Sequence, residues 1–253
     1  MSDPIRIGEC IYCGEKDDAL TDEHAMPFAL NGDLVLKKAS CRPCATLTSK
    51  FELSSLRGML GRARAKLKLK SRKKTKQNFA IAVNDGLEWK TIDFNASKYA
   101  GINQVPIFAP PAYLLGTESN ELRVMALDQI RVGSIVPPNS ALPKSTKVKL
   151  KDKQLIDAWA FGKMVAKIGY CCSIAFIGYE NITEKFVLPA ILGEKDDLPT
   201  WFGNEPLRPR KSNKLHEVQI TVRDSVIYAH VWLFAAYTNQ PYTVVIGKIA
   251  SQD

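Results

Sequence analysis

The chain has 253 residues, a formal charge of +9, 45% hydrophobic residues and 24% charged residues. This is ordinary globular composition, which excludes a disordered, collagenous or coiled-coil chain, and the length suits one large domain or two smaller ones. No apolar run reaches the roughly 18 residues of a membrane span, and Met1 to Arg6 has no apolar core of the kind a signal peptide needs. A soluble, cytoplasmic protein with no membrane partner is expected.

Six cysteines are present: Cys10, Cys13, Cys41, Cys44, Cys171 and Cys172. The first four form two C-x2-C pairs. Without a secretion signal, disulfides are not expected. Two such turns can bring four thiolates to tetrahedral zinc geometry, and a closed four-thiolate site is structural. Gly14 follows the first pair, where a tight knuckle turn wants positive φ. Between the pairs, Leu20 to His24 reads as a strand ending before Pro27. Asn31-Gly32 is a turn signal, and Leu34 to Leu36 reads as the partner strand. After Cys44 a helix begins, with Leu47, Phe51 and Leu56 near one face.

These residues resemble a known family. The set C-x2-C, Leu20-Thr21-Asp22-Glu23-His24 with Pro27, an Asn-Gly turn, and Ser40-Cys41 with Cys44 opening a helix resembles an HNH-type homing and defence nuclease module. The resemblance covers about residues 8–60. It implies a ββα-metal finger stapled by four-cysteine zinc, and phosphodiester hydrolysis. His24 would be the general base that activates water. Glu23 would bind a catalytic Mg2+ or Mn2+. Asn31 would steady the loop and the His. An imidazole of near-neutral pKa can take the proton, and a divalent metal can act as Lewis acid and template. One position departs from the family: Ala45 stands where an Asn or His usually completes the metal site. Ser49 and Glu52 share the helix face of Ala45. Glu52 is the better oxygen ligand for Mg2+.

The charge is local. Residues 1–50 balance at −2, residues 51–76 at +9 and residues 77–253 at +2. Arg57, Arg62, Arg64, Lys66, Lys68, Lys70, Arg72, Lys73, Lys74 and Lys76 carry the excess. A strip of this kind attracts polyanions and releases their counterions, so these residues are expected to dock on a phosphate backbone without reading bases. Helix is expected to continue toward Lys70 with a break near Gly58 or Gly61, while Ala65 to Lys70 alternates like an extended strand. The absence of aromatics here disfavours a single-strand stacking platform, so duplex DNA is the expected partner.

The remainder carries no motif of its own. Asn78–Val83 and Leu87–Phe94 read as a strand pair, Lys153–Gly169 as a helix, and Val218–Val222, Val226–Phe234 and Tyr242–Ile249 as antiparallel strands. Cys171 and Cys172 lie in an apolar run and read as buried. The expected organisation is α+β: a zinc module over 1–56, a basic helix or linker over 57–77 and a mixed α+β domain with antiparallel strands over 78–253. The leading expectation is a metal-dependent DNA endonuclease. The alternative is a non-catalytic zinc-dependent nucleic-acid-binding protein.

Overall fold

The computed structural model describes residues 5–16, 19–72, 78–84, 88–95, 102–131, 149–151, 156–205, 212–238 and 240–250. The fold is mixed α+β with antiparallel sheets and a four-cysteine cluster near the N-terminus. The N-terminal part contains β1 (Ile5–Arg6), β2 (Thr21–His24), β3 (Val35–Ser40), α1 (Arg42–Arg57) and α2 (Gly61–Lys66). Its sheet order is β1-β3-β2, with β1 parallel and β2 antiparallel to β3. The two-residue β1 is too short to announce itself by alternation.

A single 3-10 turn, Phe28–Leu30, joins β2 to β3 and ends on Asn31 in the left-handed region. Gly32 follows because a Cβ there would collide with the Met26 carbonyl. The β2–β3 ladder slips between Thr21 and Glu23, beside Lys38 at φ 52°. Asp22 Oδ1 accepts the Lys38 N–H that this bulge frees from the ladder. α1 starts at Arg42, earlier than expected, with Pro43 in its first turn, where a missing N–H costs nothing. It stops at Gly58, and the chain turns into the short α2. Leu67 and Lys68 form a turn, so the extended strand expected over Ala65 to Lys70 is not made. Leu56, Leu60 and Ala63 are buried as their spacing predicts, whereas Leu53 is exposed.

The remaining elements are β4 (Asn78–Asn84), β5 (Trp89–Asn95), β6 (Ile102–Phe108), β7 (Val124–Arg131), β8 (Lys149–Lys151), α3 (Ala158–Ile177), β9 (Ile182–Lys185), α4 (Leu188–Leu192), α5 (Leu198–Trp201), β10 (Phe202–Asn204), β11 (His216–Arg223), β12 (Val226–Leu233) and β13 (Tyr242–Ile249). β13, β12 and β11 form an antiparallel meander, and β9 and β10 both pair with β13. Asp224 and Ser225 turn β11 into β12 with φ of 51° and 62°, as a tight primed hairpin requires. β4 lies between β5 and β8, and β6 pairs with β7. The side chain of Asn204 ties β6 to this sheet: Oδ1 accepts from Phe108 N–H, and Nδ2 donates to the Pro241 carbonyl.

α3 organises the rest. Asp157 caps it by accepting from Ala160 N–H, and its other carboxylate oxygen accepts from Ser54 Oγ on α1. The helix runs past Gly169, through Cys171 and Cys172, to Ile177. Lys153 to Leu155, expected to begin it, lie outside the described residues. Gly169 lets α3 lie directly on the sheet, because a Cβ there would meet Ala229 Cβ at 3.0 Å. By length and mean hydropathy α3 would pass as a membrane span, yet 78% of it is buried inside the protein. It is the core helix, packed on β12 and β13 and on α1. One continuous apolar core runs from Ile11, Leu36 and Phe51 to Phe161, Ile168 and Val244.

His216 on β11 accepts from Phe234 N–H through Nδ1, and its Nε2 is covered, with the Leu30 backbone weakly opposing the effect of burial. Burial lowers its pKa to about 4. The unfolded chain therefore binds this proton more tightly than the folded one. The stability is intact above about pH 6.5 and is lost as pH falls toward 4. Between pH 7 and pH 5 this single group should cost about 2 kcal/mol. Urea unfolding of His216→Gln at both pH values is expected to show a pH difference smaller by about that amount.

Candidate functional site

The four N-terminal cysteines converge. Their Sγ atoms all lie within 4.8 Å of one another, and Cys13 Sγ is 3.6 Å from Cys41 Sγ. A tetrahedral zinc with Zn–S of about 2.3 Å sets the sulfurs about 3.8 Å apart, so the set fits and could hold a metal ion such as zinc. The local backbone explains the convergence. Gly14 at φ 78° closes the first knuckle by donating to the Cys10 carbonyl. Cys41 is the N-cap of α1 and Cys44 sits in its first turn, where the positive end of the helix dipole favours thiolates. Burial alone would raise the Cys10 pKa, but backbone N–H groups of Cys41, Cys13 and Tyr12 outweigh it and lower the pKa. Donors aimed at sulfur are what a thiolate ligand requires. Cys44, buried beside three other thiols, is pushed up.

Beside this cluster, Glu23 and His24 at the end of β2 face α1 across a cleft of about 790 Å3. Glu52 of α1, Ala45, Ser49, Phe28, Arg57 and Arg72 also line it. Glu23 and Glu52 come together as the sequence suggests, but around a cation that the sequence reading missed. Lys167 of α3 is fully buried, and its Nζ lies 2.6 Å from Glu23 Oε1 and 2.9 Å from Glu52 Oε1. The contact to Glu52 is an ion pair without hydrogen-bond alignment. Lys167 Nζ also donates to the backbone carbonyl of His24. Burial would lower the Lys167 pKa, but the Glu52 and Glu23 carboxylates outweigh it and hold the group above its ordinary value. One signal for Lys167 existed in the sequence. It falls on the stripe of α3 that carries Met164 and Cys171, otherwise apolar and buried.

His24 packs edge-on against Phe28, with ring centroids 6.0 Å apart, and its Nδ1 is covered and has no hydrogen-bond partner. Burial lowers its pKa, and repulsion from Lys167 and Arg72 adds to this against the opposing pull of Glu23 and Glu52. The ring is therefore neutral at pH 7. Ser49 lines the cleft, but its hydroxyl donates to the Thr46 carbonyl. Asp22, the neighbouring acid, is held by Lys37 at 2.7 Å. Asn31 does not enter the cleft lining. Its Oδ1 accepts the Lys70 N–H at 2.8 Å, so it steadies the basic segment and not the His.

The basic strip divides by location. Arg57, Lys68, Lys70 and Arg72 are exposed, and Arg62 and Lys66 are half-buried. Lys70 pairs with Asp33, and Lys70 and Arg72 both stand over the Phe28 ring. Arg64 departs from the docking expectation. It is buried, and its guanidinium donates to the carbonyls of Ala29, Leu56 and Lys70. Its role is therefore to fix the strip against the loop. Lys73, Lys74 and Lys76 lie outside the described residues.

Comparison with protein-family models, with curated proteins and with solved structures finds no match.

The cysteine cluster predicts about one zinc per chain by elemental analysis, falling toward zero in Cys13→Ser. Structural zinc contributes on the order of 10 kcal/mol to small metal-held units. Chelation should therefore unlock hydrogen exchange over residues 10–55 first. Protection of α3 should fall with it, because Tyr170 Oη donates to the Ile11 carbonyl at 2.6 Å and Lys167 ends on β2. Zinc near zero with fully titratable thiols would remove the metal reading.

Proposed function

We propose that the chain is a zinc-stapled, HNH-type phosphodiester hydrolase acting on nucleic acid, with duplex DNA as its substrate. The observation that carries the reading is His24: a neutral imidazole in a cleft that Arg57 and Arg72 also line. A neutral ring of this kind can take a proton from the attacking water. The arginines are suited to hold the scissile phosphate and answer the charge that grows on it. Lys68, Lys70 and Arg72 extend this positive surface along a strip that Arg64 and Asn31 hold in place. The zinc is structural in this reading, and the setting is the cytoplasm.

The resemblance would also seat Mg2+ or Mn2+ at Glu23, with Glu52 as a further ligand. The residues do not fit that seat. Both carboxylates are already engaged by one buried ammonium, and Ala45 offers no donor. No step is routed through a divalent metal. The same facts favour a second reading, a zinc-dependent nucleic-acid-binding protein that does not cleave.

Nicking of supercoiled plasmid by zinc-loaded protein, in Mg2+, Mn2+ and divalent-free buffer, separates the two. Nicking is expected, with the rate lowered about 10²–10⁴-fold in His24→Ala and zinc content unchanged. Duplex binding with no cleavage in any buffer makes the protein a binder. For docking, Lys68→Ala and Arg72→Ala should each reduce the slope of log affinity against log salt by about 0.9 for a lost phosphate contact. Unchanged slopes remove the strip from the interface.

A further inference from the structure

Two carboxylates that converge from different elements in a buried place need a cation between them. Glu23 comes from β2 and is 7% exposed. Glu52 comes from α1, and its side chain is 19% exposed. As neighbouring anions they would repel and take up protons unless a positive charge intervenes. Such a pair, beside a zinc cluster and a histidine, is an oxygen-donor set that a hard divalent cation would ordinarily satisfy.

The charge here is supplied by the chain itself. We propose that the Lys167 ammonium is the resident cation of the Glu23–Glu52 pair, so that this acid pair binds no divalent metal. An ammonium has three donor hydrogens. Two of them meet oxygens, Glu23 Oε1 at 2.6 Å and the His24 carbonyl, and Glu52 Oε1 lies 2.9 Å away as an ion pair. The group is wholly shielded from water, so it cannot leave these partners for solvent without opening the α1–α3 seam. A divalent ion bound to the same Oε1 atoms would sit in contact distance of the ammonium, with no anion between them. The two cations exclude one another. The contact to the His24 carbonyl makes Lys167 a positioning residue as well: it fixes the backbone of His24.

The place of Lys167 on α3 excludes a simple surface salt bridge. Tyr12 and Cys171 pack around the same cluster, with Tyr12 Oη 3.6 Å from Cys171 Sγ. Both are buried, so the ammonium sits among groups shielded from water, with two carboxylates against it.

The proposal goes beyond the hydrolase reading and does not need it, since its readout is metal binding and not cleavage. The test is a Mn2+ titration of the full-length, zinc-loaded chain followed by electron paramagnetic resonance, with zinc content checked in each sample. Wild-type protein is expected to leave the free Mn2+ signal undiminished. Lys167→Met exposes the acid pair to solvent cations and is expected to take up one Mn2+ per chain, with that uptake lost again in Lys167→Met/Glu52→Gln. Wild-type uptake that disappears in Glu23→Gln or Glu52→Gln overturns the proposal, because the pair would then be open to metal. A folded Lys167→Met that takes up no Mn2+ overturns it too. If Lys167→Met does not fold, the wild-type titration decides alone: no uptake supports the assignment, and uptake that depends on Glu52 overturns it.

Discussion

A positive charge shut away from water must be answered by anions in place, and in this fold that demand falls on Lys167. Its ammonium is fully buried, on a stripe of α3 that is otherwise apolar. The groups that answer it, Glu23 and Glu52, belong to a different part of the chain, more than 100 residues away in sequence. Breaking a buried pair by removing one partner typically costs about 3–5 kcal/mol, because the other charge is left uncompensated. The pairing therefore sets more than local geometry. It fixes where β2 ends, how α1 leans and which face of α3 turns toward the cysteine cluster.

The same face of α3 carries the other anchors of the N-terminal part. Lys167, Tyr170 and Cys171 are spaced by three and four residues and so share one side of the helix. They meet β2 with α1, the Ile11 carbonyl and Tyr12 respectively. The opposite side, at Gly169, lies against β12 and β13. Cysteine cluster, acid pair and antiparallel sheet are thus coupled through a single helix, and the apolar core is continuous across it. A metal-held unit of this size would ordinarily depend on its ion alone. Here it is also packed against a helix with a core of its own.

Much of the N-terminal part was legible in the sequence because it is encoded locally. The C-x2-C spacing, the glycine at the knuckle, the short strand before Pro27 and the strand at Leu34 to Leu36, which the structure extends to Ser40, each rest on a few adjacent residues. The hairpin β11–β12 was legible for the same reason, through alternation and a turn of Asp224 and Ser225. What escaped was non-local or too short. β1 has two residues, and its pairing is parallel. Asn31 looked like a loop support for His24, but its amide reaches the Lys70 backbone, a partner that periodicity cannot supply. Arg64 counted as surface charge, yet it turns inward because three carbonyls lie within its reach. The acid pair could be named from sequence. Its counter-ion could not, since helical spacing says that Lys167 is on the buried stripe but not what it meets there.

Under the proposed nucleic-acid reading, the inward turn of Arg64 has a consequence for how the basic strip would meet a polyanion. Charged segments that order only on binding give up conformational freedom at that moment, and this loss offsets part of the electrostatic gain. The strip from Arg57 to Arg72 is already folded down by the Arg64 guanidinium and by the Asn31 amide. Its cations are preorganised on a rim of set curvature. A ligand of matching shape meets charges that need not be gathered, and one of a different shape cannot recruit them by bending the segment. Discrimination between nucleic-acid forms can therefore come from the rigidity of this rim, with no side chain reading a base.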